Sequence, residues 1–412
     1  MGFCWIWVLL AAGTLHAAAY SAPAGIRPVI RRPGGPSIIP GGRIVAPLGR
    51  QYETGPSPLG LAVSPDGRRI VTCNSGSGRF SLTVLERNRD ASWTVRHLVD
   101  APREAPGAAD ADGRLFLGLA FSGERSVYAA EGNSGCVRLM DVDSGDRKRT
   151  YDLNQGGVTG SYAGDLAFDR GSGMLYVLDP GPPRLVSIDV QRHRIVSSKP
   201  LAGVPSALAL SPSGRKAYVT IEGSVCVLDL KDPAAPAVET TLRNAGSPGV
   251  LAAAGRVFVS NGWDDSIAVI DAGTNAVTGK IDIRIPGLEN IRGVWPAGMA
   301  YDEAGGRLLV AEAGINAVAV IDIVRKQVIG HVPAAWFPTR VALDRGTVAV
   351  TNVRGQGTGP SDHIATGEFP GTLERGSISI FPMPDAAQIP AETATVLETN
   401  GFQPRPLAVA AY

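Results

Sequence analysis

Residues 58–74 read PLGLAVSPDGRRIVTCN, and SLTVLER follows at 81–87. The runs GLAV, RIVTC and SLTVL are short and apolar or β-branched, and turn-forming clusters separate them, so each reads as an antiparallel strand. In Ser64-Pro65-Asp66-Gly67, proline presets the first turn angle and glycine takes the left-handed position. A sheet built this way has apolar residues on both faces. Only neighbouring sheets can cover both.

The unit recurs. FLGLAFSGERSVYAAEGNSGCVRLMD (116–141), YAGDLAFDRGSGMLYVLDPGPPRLVSID (162–189), PSALALSPSGRKAYVTIEGSVCVLD (205–229), PGVLAAAGRVFVSNGWDDSIAVID (248–271) and PAGMAYDEAGGRLLVAEAGINAVAVID (296–322) repeat its start, middle and end. PTRVALDRGTVAVTN with GSISIFP completes seven units. The closing aspartates Asp141, Asp189, Asp229, Asp271 and Asp322 lie 40 to 51 residues apart, the period of a propeller blade. The expected fold is all-β, a seven-bladed β-propeller of four-stranded antiparallel blades, which covers every sheet face and keeps edges short. The last unit supplies only three strands. The N-terminal GRIVAPLGRQY is therefore expected to add its outermost strand and clasp the ring.

Composition agrees. The 51 Gly and 31 Pro supply turns, and 44% hydrophobic content is too high for disorder. A formal net charge of +1 creates no field for nucleic acid or an anionic membrane surface. Residues 1–19 hold an apolar core from Phe3 to Ala12 and then Ala17, Ala18 and Ala19. They read as a cleaved secretory signal, too short for a membrane span, which places the mature chain in the bacterial cell envelope, secreted or periplasmic. Residues 20–42 read as a Pro/Gly-rich leader, 43–384 as the propeller, and 385–412 as a helix and tail. Cys4 leaves with the signal. Cys73, Cys136 and Cys226 are widely spaced and read as structural thiols rather than a disulfide framework or zinc site.

Over residues 43–384 the units resemble the YVTN-type 40-residue-repeat β-propeller of bacterial secreted proteins. In the last unit, WFPTRVAL, the RGQGTGP loop, FPGTLERGSISIFPMPD and VLETNGF are similar to the propeller half of bacterial two-part proteins. In those proteins the propeller precedes a phosphoesterase of the alkaline phosphatase superfamily. This chain reaches QPRPLAVAAY where that half would begin, so the resemblance carries over none of its metal ligands or its nucleophile.

Propeller geometry brings the starts of the innermost strands and the loops after the second strands to one mouth. Phe116, Tyr162, Trp263, Trp295, Trp336 and Phe337 gather there with the strand-end residues Asn74, Glu131, Asp179, Glu222, Asn261, Glu312 and Asn352. Such acids and amides suit a polar ligand or cation, and the same residue types cap loop backbones. Equivalent positions of the innermost strands read Gly60, Gly118, Asp165, Ala207, Val250, Gly298 and Arg340. Asp165 and Arg340 are expected to approach the channel, with Arg340 meeting an anionic group of a ligand. Trp295-Pro296 and Phe337-Pro338 open innermost strands, where a ring ordinarily packs against the neighbouring blade. Trp263, in the turn SNGWDDS, is expected to be exposed and available to stack a sugar or meet a partner. The glycine-rich VRGQGTGP (353–360) follows a strand but precedes no helix, so it lacks the helix N-terminus a phosphate cradle needs. It reads as an enlarged loop over the mouth, with His363 and Phe369 at its tip.

Catalytic motifs are missing. The chain has no HExxH, CxxC or GxSxG; His97 and His331 fall on outer strands and His193 on a far-face turn. No catalytic residue, metal site or cofactor is expected, a divalent cation in the channel being the remaining metal alternative. The expectation is an exported, monomeric, non-enzymatic propeller that binds a protein, glycan or small polar ligand at one mouth. Two alternatives stand beside it. One is a lactonase-type propeller hydrolase whose channel carboxylates activate water; the other is a split or remnant propeller subunit of a phosphoesterase system.

Overall fold

A computed structural model describes residues 22–76, 79–99, 118–358 and 375–402. The signal segment with Cys4, Phe116, His363, Phe369 and the tail beyond 402 lie outside the described residues.

Strands alternating with tight turns build seven four-stranded antiparallel blades. Six follow chain order from inner to outer strand, at 58–99, 119–152, 166–200, 205–242, 250–282 and 296–333. The seventh takes Pro338–Asp344, Thr347–Asn352 and Ser377–Pro382, and its outermost strand is Arg50–Glu53, paired antiparallel with Ser377–Ile380. The N-terminal clasp therefore exists, at the end of the stretch that suggested it. Ile44–Val45, the more apolar part, pairs instead with Ser37–Ile38 in a hairpin of the leader.

Strand periodicity sends alternate side chains to opposite neighbours. Leu308 and Val310 join Phe258 and Ile267 between blades five and six, while Leu309 and Ala311 join Val341 and Val350 between blades six and seven. Leu175 and Val177 face blade two, and Tyr176 and Leu178 face blade four. The closing seam has the same construction, with Ile70 and Leu85 against Ala349 and Ile380. Full burial of one such side chain is worth roughly 1.5–3 kcal/mol. Covered faces thus hold the ring together, and outer strands such as Arg147–Asp152 stay exposed apart from Tyr151.

The repeated aspartates close turns on the far face. Asp189 Oδ1 accepts the N–H groups of Gln191 (3.0 Å) and Arg192 (2.8 Å), and Asp322 Oδ1 accepts those of Val324 and Arg325 at 2.9 Å. These backbone donors hold both carboxyls below their usual range. The signature that made the repeat visible is turn chemistry.

The helix Ile389–Asn400 lies on the outermost strand of blade six, Gln327–Pro333. His331 N–H donates to Thr393 Oγ1 at 2.9 Å. Ile389 enters the core between blades six and seven, and Val396 the core between five and six. Gly330 makes this approach possible, because a Cβ there would run into Ile389 Cγ2 and Thr393 Oγ1. No helix among the described residues is long and apolar enough to cross a membrane.

Candidate functional site

Most strand-end polar residues at the mouth are turned into their own blades. Asn74, Asp179, Glu312 and Asn352 are fully buried, and Glu131 nearly so. Asn74 Nδ2 donates to Ser81 Oγ (3.0 Å) and Thr83 Oγ1 (2.9 Å). Asn352 Nδ2 does the same with Ser377 Oγ (3.3 Å) and Ser379 Oγ (3.0 Å). Asp179 accepts from Tyr162 N–H (2.8 Å) and Arg184 Nε (2.9 Å), and Glu131 pairs with Arg138 at 2.6 Å. Amides therefore stand where hydroxyls face them, and acids where cations do. Glu222 leaves the set. Ile221 pairs with Ser224 as Asn261 pairs with Ser266, so Ile221 holds the strand-end place. Glu222 is the exposed turn residue that follows, at φ 43°. Among the described residues no group of three or more His, Cys, Asp or Glu is arranged to hold a metal ion.

Glu312 has a partner that the sequence does not reveal. Its Oε2 meets His331 Nδ1 at 2.7 Å, with both side chains buried. Burial raises the pKa of Glu312, against the pull of the imidazole. Burial also opposes protonation of His331, but the neighbouring carboxylate outweighs it and raises the imidazole pKa.

In the channel, Asp165 and Arg340 tie each blade to the next. Asp165 Oδ2 accepts Leu208 N–H of blade four at 3.0 Å, and its Oδ1 accepts Leu166 N–H at 3.1 Å. Half-buried Arg340 reaches blade one, its Nε donating to Leu59 O at 3.4 Å. Burial lifts the Asp165 carboxyl, and the Arg340 charge opposes that lift. The register also revises the blade-five member of this series. Ser260 N–H donates to Gly249 O as Ala130 N–H does to Gly118 O, so Gly249, not Val250, is equivalent. A Cβ at Gly249 would stand 2.5 Å from Ala297 O, and one at Gly298 2.6 Å from Thr339 O. Small residues are what let the innermost strands meet. The Cys73 thiol is pushed by burial up to about 12, and among the described residues Cys73, Cys136 and Cys226 form no disulfide.

The exposed chemistry of the mouth is aromatic. Trp263 is 79% exposed, Trp295 41% and Phe337 37%. The rings of Trp263 and Trp295 lie 5.9 Å apart, tilted by 56°. The Trp295 ring does pack against the neighbouring blade, on Trp263 and Gly262 of blade five, yet Trp295 and Phe337 both stay partly exposed and adopt positive φ, 55° and 63°. For non-glycine residues that conformation costs on the order of 1–3 kcal/mol and persists only where the surroundings enforce it. Here they do. Asp265 Oδ1 accepts Trp295 N–H at 2.9 Å and its Oδ2 accepts Gly293 N–H at 2.7 Å. Asn316 Oδ1 accepts Phe337 N–H at 3.1 Å. The carbonyls of Trp295 and Phe337 accept Ala313 N–H (3.1 Å) and Val353 N–H (3.0 Å). Asp265 and Asn316 are buried at equivalent places, each one residue before a third strand. Sequence reasoning missed both; the available signal was an Asp or Asn directly before SIAVID and AVAVID. Asn261 Oδ1 caps the same turn by accepting Trp263 N–H at 3.2 Å.

The first part of the glycine-rich segment is a seat for the leader. Gly355 (φ 50°) and Gly357 (φ 83°) fold it into a compact, buried turn. Gln356 Nε2 donates to Arg32 O (3.3 Å) and Gly35 O (3.0 Å), while Ile39 and Val45 pack with Ala335 and Trp336. The Arg354 guanidinium lies 4.9 Å from the Trp336 ring centroid.

No family model matches the sequence, and no curated protein does. Solved structures do match. A chain of the mitotic checkpoint complex superposes with TM-score 0.59 at 13% identity, over 82% of this chain and 95% of that one. A chain of hydrazine synthase from Kuenenia stuttgartiensis gives 0.57 at 16% identity, over 80% and 97%. In all, 1349 solved chains match, so the likeness attaches the fold to no single chemistry. What these structures share with this chain is the seven-bladed β-propeller.

Proposed function

We propose that this chain is an exported, non-enzymatic propeller that binds a protein or polar ligand at its aromatic mouth. The observation that carries the reading is Trp295, a half-exposed indole held at positive φ by a buried carboxylate and set at a tilt against exposed Trp263. Backbone strain that is enforced at an exposed aromatic is a property of binding surfaces. Asp165 and Arg340 set the polarity of the channel behind it, and Arg340 offers its remaining N–H groups to a polar acceptor of the ligand. Binding is favoured over lactonase-type hydrolysis because Glu131, Asp179 and Glu312 are buried on internal partners. Export rests on residues 1–19 and on the resemblance to YVTN-type repeats. The resemblance of the last unit makes a separately encoded phosphoesterase one candidate partner.

A pull-down from envelope extract tests the reading. The Trp263→Ala/Trp295→Ala protein is expected to recover at least about tenfold less of the bound species than wild type, the loss typical of a binding hot spot. Equal recovery would remove the mouth as the site.

A further inference from the structure

Resting on the mouth reading, we propose that the ligand is a neutral glycan stacked on Trp263 and Trp295. The charges around the platform decide its class. Indole faces attract cations, but a cationic ligand would meet Lys280 and Arg292 beside the Trp263 turn. Arg292 Nη1 donates to Trp263 O at 3.0 Å, and Lys280 and Arg292 both pair with Asp264. An anionic ligand would find those cations already engaged and would face the negative lobes of the indole rings. Arg284 pairs with Asp282, and Glu289 accepts Gly287 N–H at 2.8 Å. Asp265 is buried and taken up by Gly293 and Trp295 N–H groups. At the surface, Lys280, Arg284 and Arg292 thus balance Asp264, Asp282 and Glu289, and neither sign is in excess.

A neutral molecule with a flat apolar face and a polar edge fits this border. That is a pyranose, whose axial C–H bonds stack on an indole while its hydroxyls reach flanking carboxylates and guanidinium groups. Arg292 carries five N–H donors, more than its contacts to Trp263 O and Asp264 consume. The two partly exposed rings, 5.9 Å apart and tilted by 56°, form one continuous apolar border for the sugar chain. A ligand without charge attraction also depends on a rigid platform that loses little entropy on binding. Asp265 provides that rigidity as a positioning residue, since its two hydrogen bonds fix the backbone of Trp295.

The test titrates the full, folded protein with cellohexaose, maltohexaose and N-acetylchitohexaose while reading tryptophan fluorescence. At least one is expected to shift the emission, with a Kd that changes less than about twofold between about 50 mM and about 500 mM NaCl. Trp263→Ala is expected to weaken binding at least about tenfold, and its side chain is 79% exposed, so the fold is kept. Asp265→Ala is expected to weaken binding with both indoles still present, and Asp265→Asn, which keeps one acceptor, to weaken it less. No response to any of the three sugars, binding that survives Trp263→Ala and Trp295→Ala, or binding abolished by salt would overturn the proposal. The envelope pull-down separates the two levels. If no sugar binds but wild type alone captures a protein, the glycan falls and the mouth stands; if the variants match wild type in both assays, both fall.

Discussion

His331 and Glu312 share a site that water barely reaches, 3% and 0% exposed, with 2.7 Å between Nδ1 and Oε2. The folded-state pKa of His331 lies above its ordinary 6.5, so the folded form binds its proton more tightly than the unfolded chain does. Stabilisation from this proton is complete below pH 6.5 and is lost as pH rises through the raised value. The raised pKa of Glu312 acts in the same direction. The urea midpoint is therefore expected to fall as pH rises above 6.5, and Glu312→Gln is expected to flatten that dependence. A wild-type midpoint constant over that rise would refute the pair's role. His331→Ala strands a buried carboxylate and should cost about 3–5 kcal/mol. The repeat brought Glu312 into view through its register. Its partner was hidden, because contact across two strands depends on the bulge between Val320 and Ile321, which residue types do not announce.

Elements were legible where their chemistry is local. ETATVLETNG reads as a helix end, and Gly401 closes it at φ 74° as a left-handed C-cap. The clasp was legible as a need of blade seven, but its place within GRIVAPLGRQY was not. An outermost strand has solvent on one side, so Arg50–Glu53 serves without an apolar pattern, while Ile44–Val45 is drawn to the leader hairpin. The positive φ of Trp295 and Phe337 was hidden for a different reason. The sign of φ at a residue before proline is set by acceptors one blade away, Asp265 and Asn316. The docking of the helix yields its own prediction. Gly330→Val places a branched side chain against Ile389 and Thr393, an overpacking that costs roughly 1–3 kcal/mol. The helix is expected to release, so limited proteolysis should cut within 389–400 while the β-sheet circular dichroism persists. Continued protection of that segment would show that Gly330 is not its seat.

A closed ring depends on every seam, yet blade seven alone is assembled from both ends of the chain. Blades one to six each hold four consecutive strands, whereas Arg50–Glu53 must find Ser377–Ile380 across more than 300 residues of sequence. Covering that edge does two things at once. It completes the ladder, with Ser379 Oγ donating to Gln51 Oε1 at 2.8 Å, and it hides a strand edge that would otherwise pair with another molecule. The leader adds to the same closure from the mouth side, where Gln356 Nε2 of blade seven donates to Gly35 O at 3.0 Å. A chain that starts at Thr54 keeps all six consecutive blades but loses both contributions. Each ladder hydrogen bond removed costs about 0.5–1.5 kcal/mol net, and the seam between blades seven and one, Ile70 and Leu85 against Ala349 and Ile380, loses its outer support. The shortened protein is expected to unfold at a lower denaturant midpoint and to associate with rising concentration in light scattering. A synthetic peptide spanning 46–55 should reverse both effects by refilling the edge, and a peptide with Gln51 and Tyr52 replaced by proline should not, because proline offers no N–H to the ladder. An unchanged midpoint and a monomeric scattering profile for the shortened chain would mean that the covered faces between blades, not the clasp, close the ring.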